Sequence, residues 1–244
     1  MNKIPVACQI YSLRKDWPTH PLEILRFLKE TGYTGVELYG NYFSPAFTAA
    51  LLREAGMICT GWHCAADDFE DGKFEETLEK ALTVGARTLC VAWYGASDIA
   101  GWKAFAGKLN SISERLAPYG IRTGYHSHGS DFKSLEGRFP WDIIAENTDD
   151  SVILQLDFGN TLATGADPVA WLKKYPGRSM TVHCKPWSKA GGYNLCKGDD
   201  VPWKELVNFC RTEGGTEWFI VEYEEAEDLR SCIRKLHDTV MSFQ

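Results

Sequence analysis

The feature that most constrains this chain is a set of polar residues placed at or near the ends of short apolar runs. Glu37, His63, His126, Asp157, His183 and Glu222 occupy such positions in the runs GVEL, MICTGWH, IRTGYH, VILQLD, MTVH and WFIVE. An apolar run of this length reads as a strand buried on both faces, the kind found in parallel sheets. A polar group at its C-terminal end is where an α/β barrel keeps its chemistry. Six such positions in one chain point to a functional site, and the mixture of carboxylate and imidazole points to a metal.

Strand candidates fall at 4–10, 35–39, 57–63, 87–93, 121–127, 152–157, 179–184 and 217–222. Amphipathic segments lie between them. PLEILRFLKETG has apolar residues at 22, 24, 25 and 28 and stops on Gly32, a C-cap residue. FEETLEKALTVGA repeats the pattern, and WKAFAGKLNSISERLAPYG runs longer before Pro118 and Gly120. DPVAWLKKYPG opens with Asp167 as N-cap and Pro168 at the first helical position, VPWKELVNFCRTEGG is similar, and a last helix covers 226–242. Eight strands alternating with about eight helices predict a parallel sheet joined by βαβ crossovers. The simplest closure is a (β/α)₈ TIM barrel forming one domain over residues 1–244, close to the roughly 250 residues typical of that fold. An open doubly wound sheet would want G-x-G-x-x-G after the first strand, where this chain has YSLRKDWPTH. A P-loop and a G-x-S-x-G nucleophile elbow are also missing.

Composition removes several function classes. With a net charge of −7 the chain lacks the basic stripe that nucleic acid needs, so no nucleic-acid partner is expected. The cluster Lys173, Lys174 and Arg178 reads as a solvated helix end. Apolar runs fall far short of the roughly 20 residues of a membrane span, so no membrane partner is expected. The N-terminal MNKIPVACQIYSLR shows no signal-peptide pattern, and the eight cysteines are scattered without a C-x-x-C pair. Reduced thiols in a cytoplasmic protein are the corresponding expectation. Oligomeric state is left open.

His126, Asp157, His183 and Glu222 end the fifth to eighth strands, which are neighbours in a barrel. Two imidazoles and two carboxylates suit a borderline divalent cation with positions open for substrate oxygens. Taken singly, each has a plainer reading as a hydrogen-bonded core or turn residue. Their shared position on successive strands carries the argument.

At these residues a family resemblance enters. GYTGVELYG, GYHSH, QLDFGNTLATGADPVAWLKKYPGR, TVHCKPW, VPWKEL and WFIVEYEE, in that order over nearly the whole chain, resemble the sugar phosphate isomerase/epimerase family of xylose isomerase-like barrels. The resemblance implies a (β/α)₈ barrel with a divalent metal cation (Mn, Zn, Co or Mg) held on the last four strands. It also implies a small sugar or polyol substrate. The implied metal positions fall on His126, Asp157, His183 and Glu222. Many relatives carry Glu at the end of the fifth strand, whereas Tyr125-His126-Ser127-His128 is similar to a subgroup with Y-H-N-H. His126 and His128 share one side of an extended strand, so spacing leaves either as the ligand. His126 is taken as the ligand and His128 as a catalytic candidate. His183-Cys184-Lys185 matches an H-x-K pattern, but the Asp that commonly follows is Pro186 here, and Asp131 stands where Glu is usual.

The resemblance also supports pocket positions for Glu37 and His63, which beside a cation can act as general acid or base. Lys185 is expected to hold a substrate oxygen or to pair with Asp157 or Glu222. Trp62, Trp93 and Trp187 flank strand ends where a sugar can lie against an aromatic face. The expected activity is a metal-dependent isomerisation or epimerisation through an ene-diolate. Glu222 is the first candidate base, and Glu37, His63 or His128 returns the proton. A lyase or dehydratase acting on a keto-sugar or inosose-like substrate through the same enolate is the alternative. An abasic-site endonuclease on the same scaffold is disfavoured by the charge, and a metal-free sugar-binding barrel is the rival from outside enzymology.

Overall fold

The computed structural model of the chain describes residues 3–225 and 227–244. Eight strands are present among them: β1 (Val6–Gln9), β2 (Gly35–Tyr39), β3 (Ile58–Cys64), β4 (Thr88–Val91), β5 (Arg122–His126), β6 (Ile153–Gln155), β7 (Thr181–Cys184) and β8 (Trp218–Val221). All pairings are parallel, in the order β6-β5-β4-β3-β2-β1-β8-β7. The two ends of the sheet meet. Asp157 forms a parallel bridge with His183, and the His183 amide donates to the Leu156 carbonyl at 2.9 Å. The result is a (β/α)₈ barrel, as the alternating pattern predicts.

The helices form the outer ring: α1 (Pro21–Thr31), α2 (Pro45–Ala55), α3 (Phe74–Val84), α4 (Ile99–Leu116), α5 (Pro140–Glu146), α6 (Phe158–Leu162), α7 (Pro168–Lys174), α8 (Trp203–Thr212) and α9 (Leu229–Ser242). Local chemistry sets their ends. The Ser44 hydroxyl accepts the Phe47 amide and Pro45 opens α2, while the Asp167 carboxylate accepts the Val169 amide and Pro168 opens α7. Gly32 closes α1 at φ 114°, a left-handed conformation that glycine adopts at little cost. The amphipathic pattern does not single out α2, α5 or α6. In α5 every residue except Glu146 is buried, so no polar face marks it. The expected last helix begins later than 226, at Leu229, and Ala226 itself lies outside the described residues.

One expectation is overturned in this region. Arg178 is not a solvated helix end but buried, and its guanidinium donates to the carbonyls of Val152 and Ala145 and to the Thr148 hydroxyl. A guanidinium can be buried there because its donors find carbonyl and hydroxyl partners. All eight cysteines are free thiols; Cys196 is exposed, with its sulfur 3.6 Å from that of Cys232. Among the described residues no helix is long and apolar enough to cross a membrane.

The barrel interior is partly polar. Gln9, Glu37, Thr123, Gln155 and Thr181 are fully buried there. Gly61 makes room for the carboxylate among them. A Cβ at Gly61 would lie 2.1 Å from the Thr88 hydroxyl and 3.4 Å from Glu37 Oε1. The β2–β3 register shifts between Val36 and Glu37, which sets Glu37 opposite this glycine.

Candidate metal centre

The site is built in two layers at the C-terminal end of the barrel. The lower layer is centred on Glu37, whose side chain is fully enclosed. Its Oε2 accepts Gln9 Nε2 at 2.7 Å and lies 2.8 Å from His183 Nε2 and 2.9 Å from His63 Nε2. Its Oε1 accepts Gln155 Nε2 at 2.9 Å. Gln155 also donates to the Thr181 hydroxyl and sits 2.8 Å from His63 Nε2. Burial alone would push the Glu37 carboxyl up, but the His63 and His183 imidazoles hold it well below the usual carboxylate range.

The upper layer collects His126, Asp157, His183 and Glu222. One donor atom from each lies within 4.8 Å of the others, and all four residues are buried. His126 ends β5 and His183 lies within β7, whereas Asp157 lies two residues past β6 and Glu222 follows β8 directly. Asp157 is the N-cap of α6. Its Oδ1 accepts the Asn160 amide at 2.7 Å, and its own amide donates to the Ser127 hydroxyl at 2.8 Å. His183 Nδ1 lies 2.6 Å from Glu222 Oε2, and Lys185 Nζ donates to Glu222 Oε1 at 3.0 Å. Lys185 also pairs with Glu224.

Two atoms in this layer are buried without a partner: Asp157 Oδ2 and His126 Nδ1. Buried polar atoms are nearly always paired, so two orphans within one cluster need an explanation. A divalent cation supplies one, because it accepts lone pairs from both at once. The protonation state of His126 suits it as well, while Asp157 and His183 would each give up a proton to a bound cation. Burial, with His183 and His63 close by, holds His126 far below its ordinary value, so its nitrogens are free of an extra proton at neutral pH. Burial pushes the Asp157 carboxyl up, against the pull of Lys185. His183 carries carboxylates on both ring nitrogens. Burial disfavours its charged form, but Glu37 and Glu222 overcome this and raise it to about 10. The donor set of two imidazoles and two carboxylates therefore fits a divalent cation.

The other expected residues divide. His63, His126, His128, Lys185, Trp93 and Glu222 line a cavity of about 490 Å³ above the cluster. His128 is half-buried and outside the four-residue group, with its ring 5.0 Å from that of His126. Trp62 lines a neighbouring cavity of about 630 Å³, which Trp93 also walls. Glu37 lines neither cavity, and Trp187 lies half-buried on the loop after β7, also away from both. Gln9, Ser127, Gln155, Asn160 and Tyr193 were not singled out as site residues by the sequence. Gln155 carries a readable signal, a polar residue two positions before Asp157 in an otherwise apolar strand. Tyr193 carries none, because it reaches the cavity from a loop and donates to Asn160 at 3.2 Å.

A family model described as xylose isomerase-like TIM barrel matches residues 25–238. The rhizopine catabolism protein MocC of Rhizobium meliloti is 28% identical over 190 residues, which is 68% of this chain and 57% of that protein. An inosose dehydratase of Clostridium tetani is 25% identical over 144 residues, 51% of this chain and 47% of that one. The chain thus spans about half the length of these curated relatives. Among solved structures, a sugar phosphate isomerase/epimerase from Parabacteroides distasonis superposes with TM-score 0.83 at 20% identity, covering 100% of this chain and 96% of its own. The IolI protein with a bound zinc atom gives TM-score 0.74 at 15% identity and 99% coverage of both chains.

Proposed function

The chain belongs to the xylose isomerase-like TIM barrel family, and from that premise we propose that it is a divalent-metal-dependent isomerase or epimerase of a small sugar or sugar derivative. One observation carries the reading: four donors from successive strand ends converge while Asp157 Oδ2 and His126 Nδ1 stay unpaired. The zinc in the IolI structure supports it. In this reading His126, Asp157, His183 and Glu222 hold the cation. When bound, the cation supplies Lewis-acid polarisation of a sugar carbonyl, which acidifies the neighbouring C–H.

The chain's own residues do the rest. Glu37 keeps the proton of His183 on Nε2 and leaves the Nδ1 lone pair facing the ligand group, the carboxylate–histidine–metal arrangement that fixes tautomer and ring orientation. Glu37 is therefore a positioning residue, which explains why it lines no cavity. Glu222 takes a proton at the carbon beside the carbonyl. Lys185 sits 3.0 Å from Glu222 Oε1 and keeps that carboxyl ionised. His63 or His128, both on the cavity wall, returns the proton on the other side. Lys185 and Trp93 face the substrate. The cytoplasm is the proposed compartment.

A lyase or dehydratase using the same proton abstraction is the second reading, favoured by the likeness to an inosose dehydratase. One experiment tests both. The metal-loaded protein is incubated in D₂O with a panel of ketoses, inososes and 3-keto-glycosides and followed by NMR. Deuterium beside the carbonyl with interconverted sugars marks the isomerase or epimerase. An accumulating unsaturated or cleaved product marks the lyase. Turnover of no carbonyl sugar with any divalent metal overturns both.

A further inference from the structure

The mouth of the barrel holds two cavities side by side, and the proposed chemistry uses one. The smaller, about 490 Å³, covers the ligand cluster. The larger, about 630 Å³, lies over the ends of β2, β3 and β4. Tyr39, His63, Ala92 and Trp93 wall both, so the two are chambers of one cleft. Each alone is within the range of roughly 300–1,000 Å³ usual for small-molecule sites.

Trp93 stands at the junction. It is 63% exposed, more than any other large apolar side chain among the described residues. An indole left in water is costly, and here its backbone is pinned rather than free to turn it inward. The Ala92 amide donates to the Cys64 carbonyl at 2.9 Å. Next along the chain, Tyr94 stacks on Phe105 with centroids 3.9 Å apart and planes 5° from parallel, and its carbonyl accepts the Tyr125 hydroxyl. Gly95 gives the indole its seat: a Cβ there would come within 3.1 Å of the ring. Trp62 and Leu89 add apolar wall to the larger chamber. Two of its charged residues are already engaged: Asp68 accepts the Ala65 amide at 2.8 Å and Lys80 pairs with Glu76 at 2.7 Å.

From this geometry we propose that Trp93 is the platform of a second subsite and that the substrate is a glycoside carrying its carbonyl on a ring carbon other than the anomeric one, rather than a free monosaccharide. Its sugar ring sits at the ligand cluster, and the ring of its second part lies against the Trp93 indole in the larger chamber. The sugar half of this assignment rests on the function proposed above; the platform does not. An aromatic aglycone and a second sugar both present a ring face to an indole, and the test separates them.

The test is calorimetric titration of the metal-loaded protein with matched 4-nitrophenyl and methyl glycosides of the gluco, galacto and xylo series, and with cellobiose. The wild type should bind at least one aryl glycoside or cellobiose about three- to tenfold more tightly than the matching methyl glycoside. Trp93→Ala should bring the pair to within about twofold. Gly95→Ala, which crowds the indole without deleting it, should lose part of the preference. An aryl preference assigns an aromatic aglycone, and a cellobiose preference assigns a second sugar. Equal affinity throughout the wild-type panel, the absence of any binding included, overturns the proposal, as does a preference that survives Trp93→Ala. A Trp93-dependent preference unaffected by Asp157→Asn would keep the platform and reject the sugar at the ligand cluster.

Discussion

The two layers at the C-terminal end of the barrel both join carboxylate to imidazole and differ in whether their polar atoms are satisfied. Below, Glu37 is met by Gln9, Gln155, His63 and His183. Above, Asp157 Oδ2 and His126 Nδ1 face no protein partner. A buried carboxylate with every lone pair used is part of the scaffold. One with an oxygen left over is held for something else. The layers touch at His183, which gives one ring nitrogen to each.

Substitutions should separate them, and the largest effect belongs to the upper layer. Glu222→Gln removes a base and a charged ligand together. Turnover of a true substrate should fall by about a thousandfold or more, read by steady-state kinetics, with the circular dichroism spectrum unchanged. Near wild-type turnover would leave Glu222 a structural residue.

In the lower layer the loss should appear as stability. Glu37→Gln leaves a charged imidazole without its carboxylate, and chemical denaturation of the metal-free protein should show a loss of about 3–5 kcal/mol. Metal affinity should weaken by roughly 10–100-fold because His183 is no longer oriented. Asp157→Asn should do the reverse. It removes a buried carboxylate that the protein does not fully satisfy, so metal-free stability should hold or rise while metal binding is lost. Equal destabilisation by the two variants would erase the distinction between the layers.

Asp131 sharpens the contrast from outside both. It is fully buried and accepts the His128 amide at 2.7 Å and the Ser130 hydroxyl at 3.3 Å. No imidazole or lysine offsets its burial as they do for Glu37, and burial pushes its carboxyl up to about 7. The unfolded chain releases this proton near 3.8 and the folded one near 7. Between those pH values the native state binds more protons, so this group makes stability fall as pH rises, levelling off above the folded value. Asp131→Asn should remove that fall and stabilise the protein at pH 8 by on the order of 2 kcal/mol, read from denaturation at pH 5 and pH 8. An unchanged pH dependence would remove Asp131 as its source.

The barrel was legible because its strands are buried on both faces and its helices carry caps such as Gly32 and Pro168. The upper layer was legible because each of its members sits within two residues of a strand end, and strand ends face the mouth. The lower layer was only half visible. Glu37 stands out as a charge in an apolar run and so reads as acid or base. Its depth in the barrel depends on the missing side chain at Gly61 and the register shift in β2, which cannot be seen along one strand. Arg178 misled for a related reason. Beside two lysines it reads as solvated, while its carbonyl partners at 145 and 152 come from other turns of the barrel.

The central claim is that the unsatisfied layer holds a divalent cation through His126, Asp157, His183 and Glu222. Elemental analysis after equilibration with zinc or manganese and removal of free ion tests it most directly. The account predicts about one equivalent in the wild type and in His128→Ala, and almost none in His126→Ala and Asp157→Asn. A wild-type protein that keeps no metal, or near-stoichiometric metal in Asp157→Asn, would contradict it.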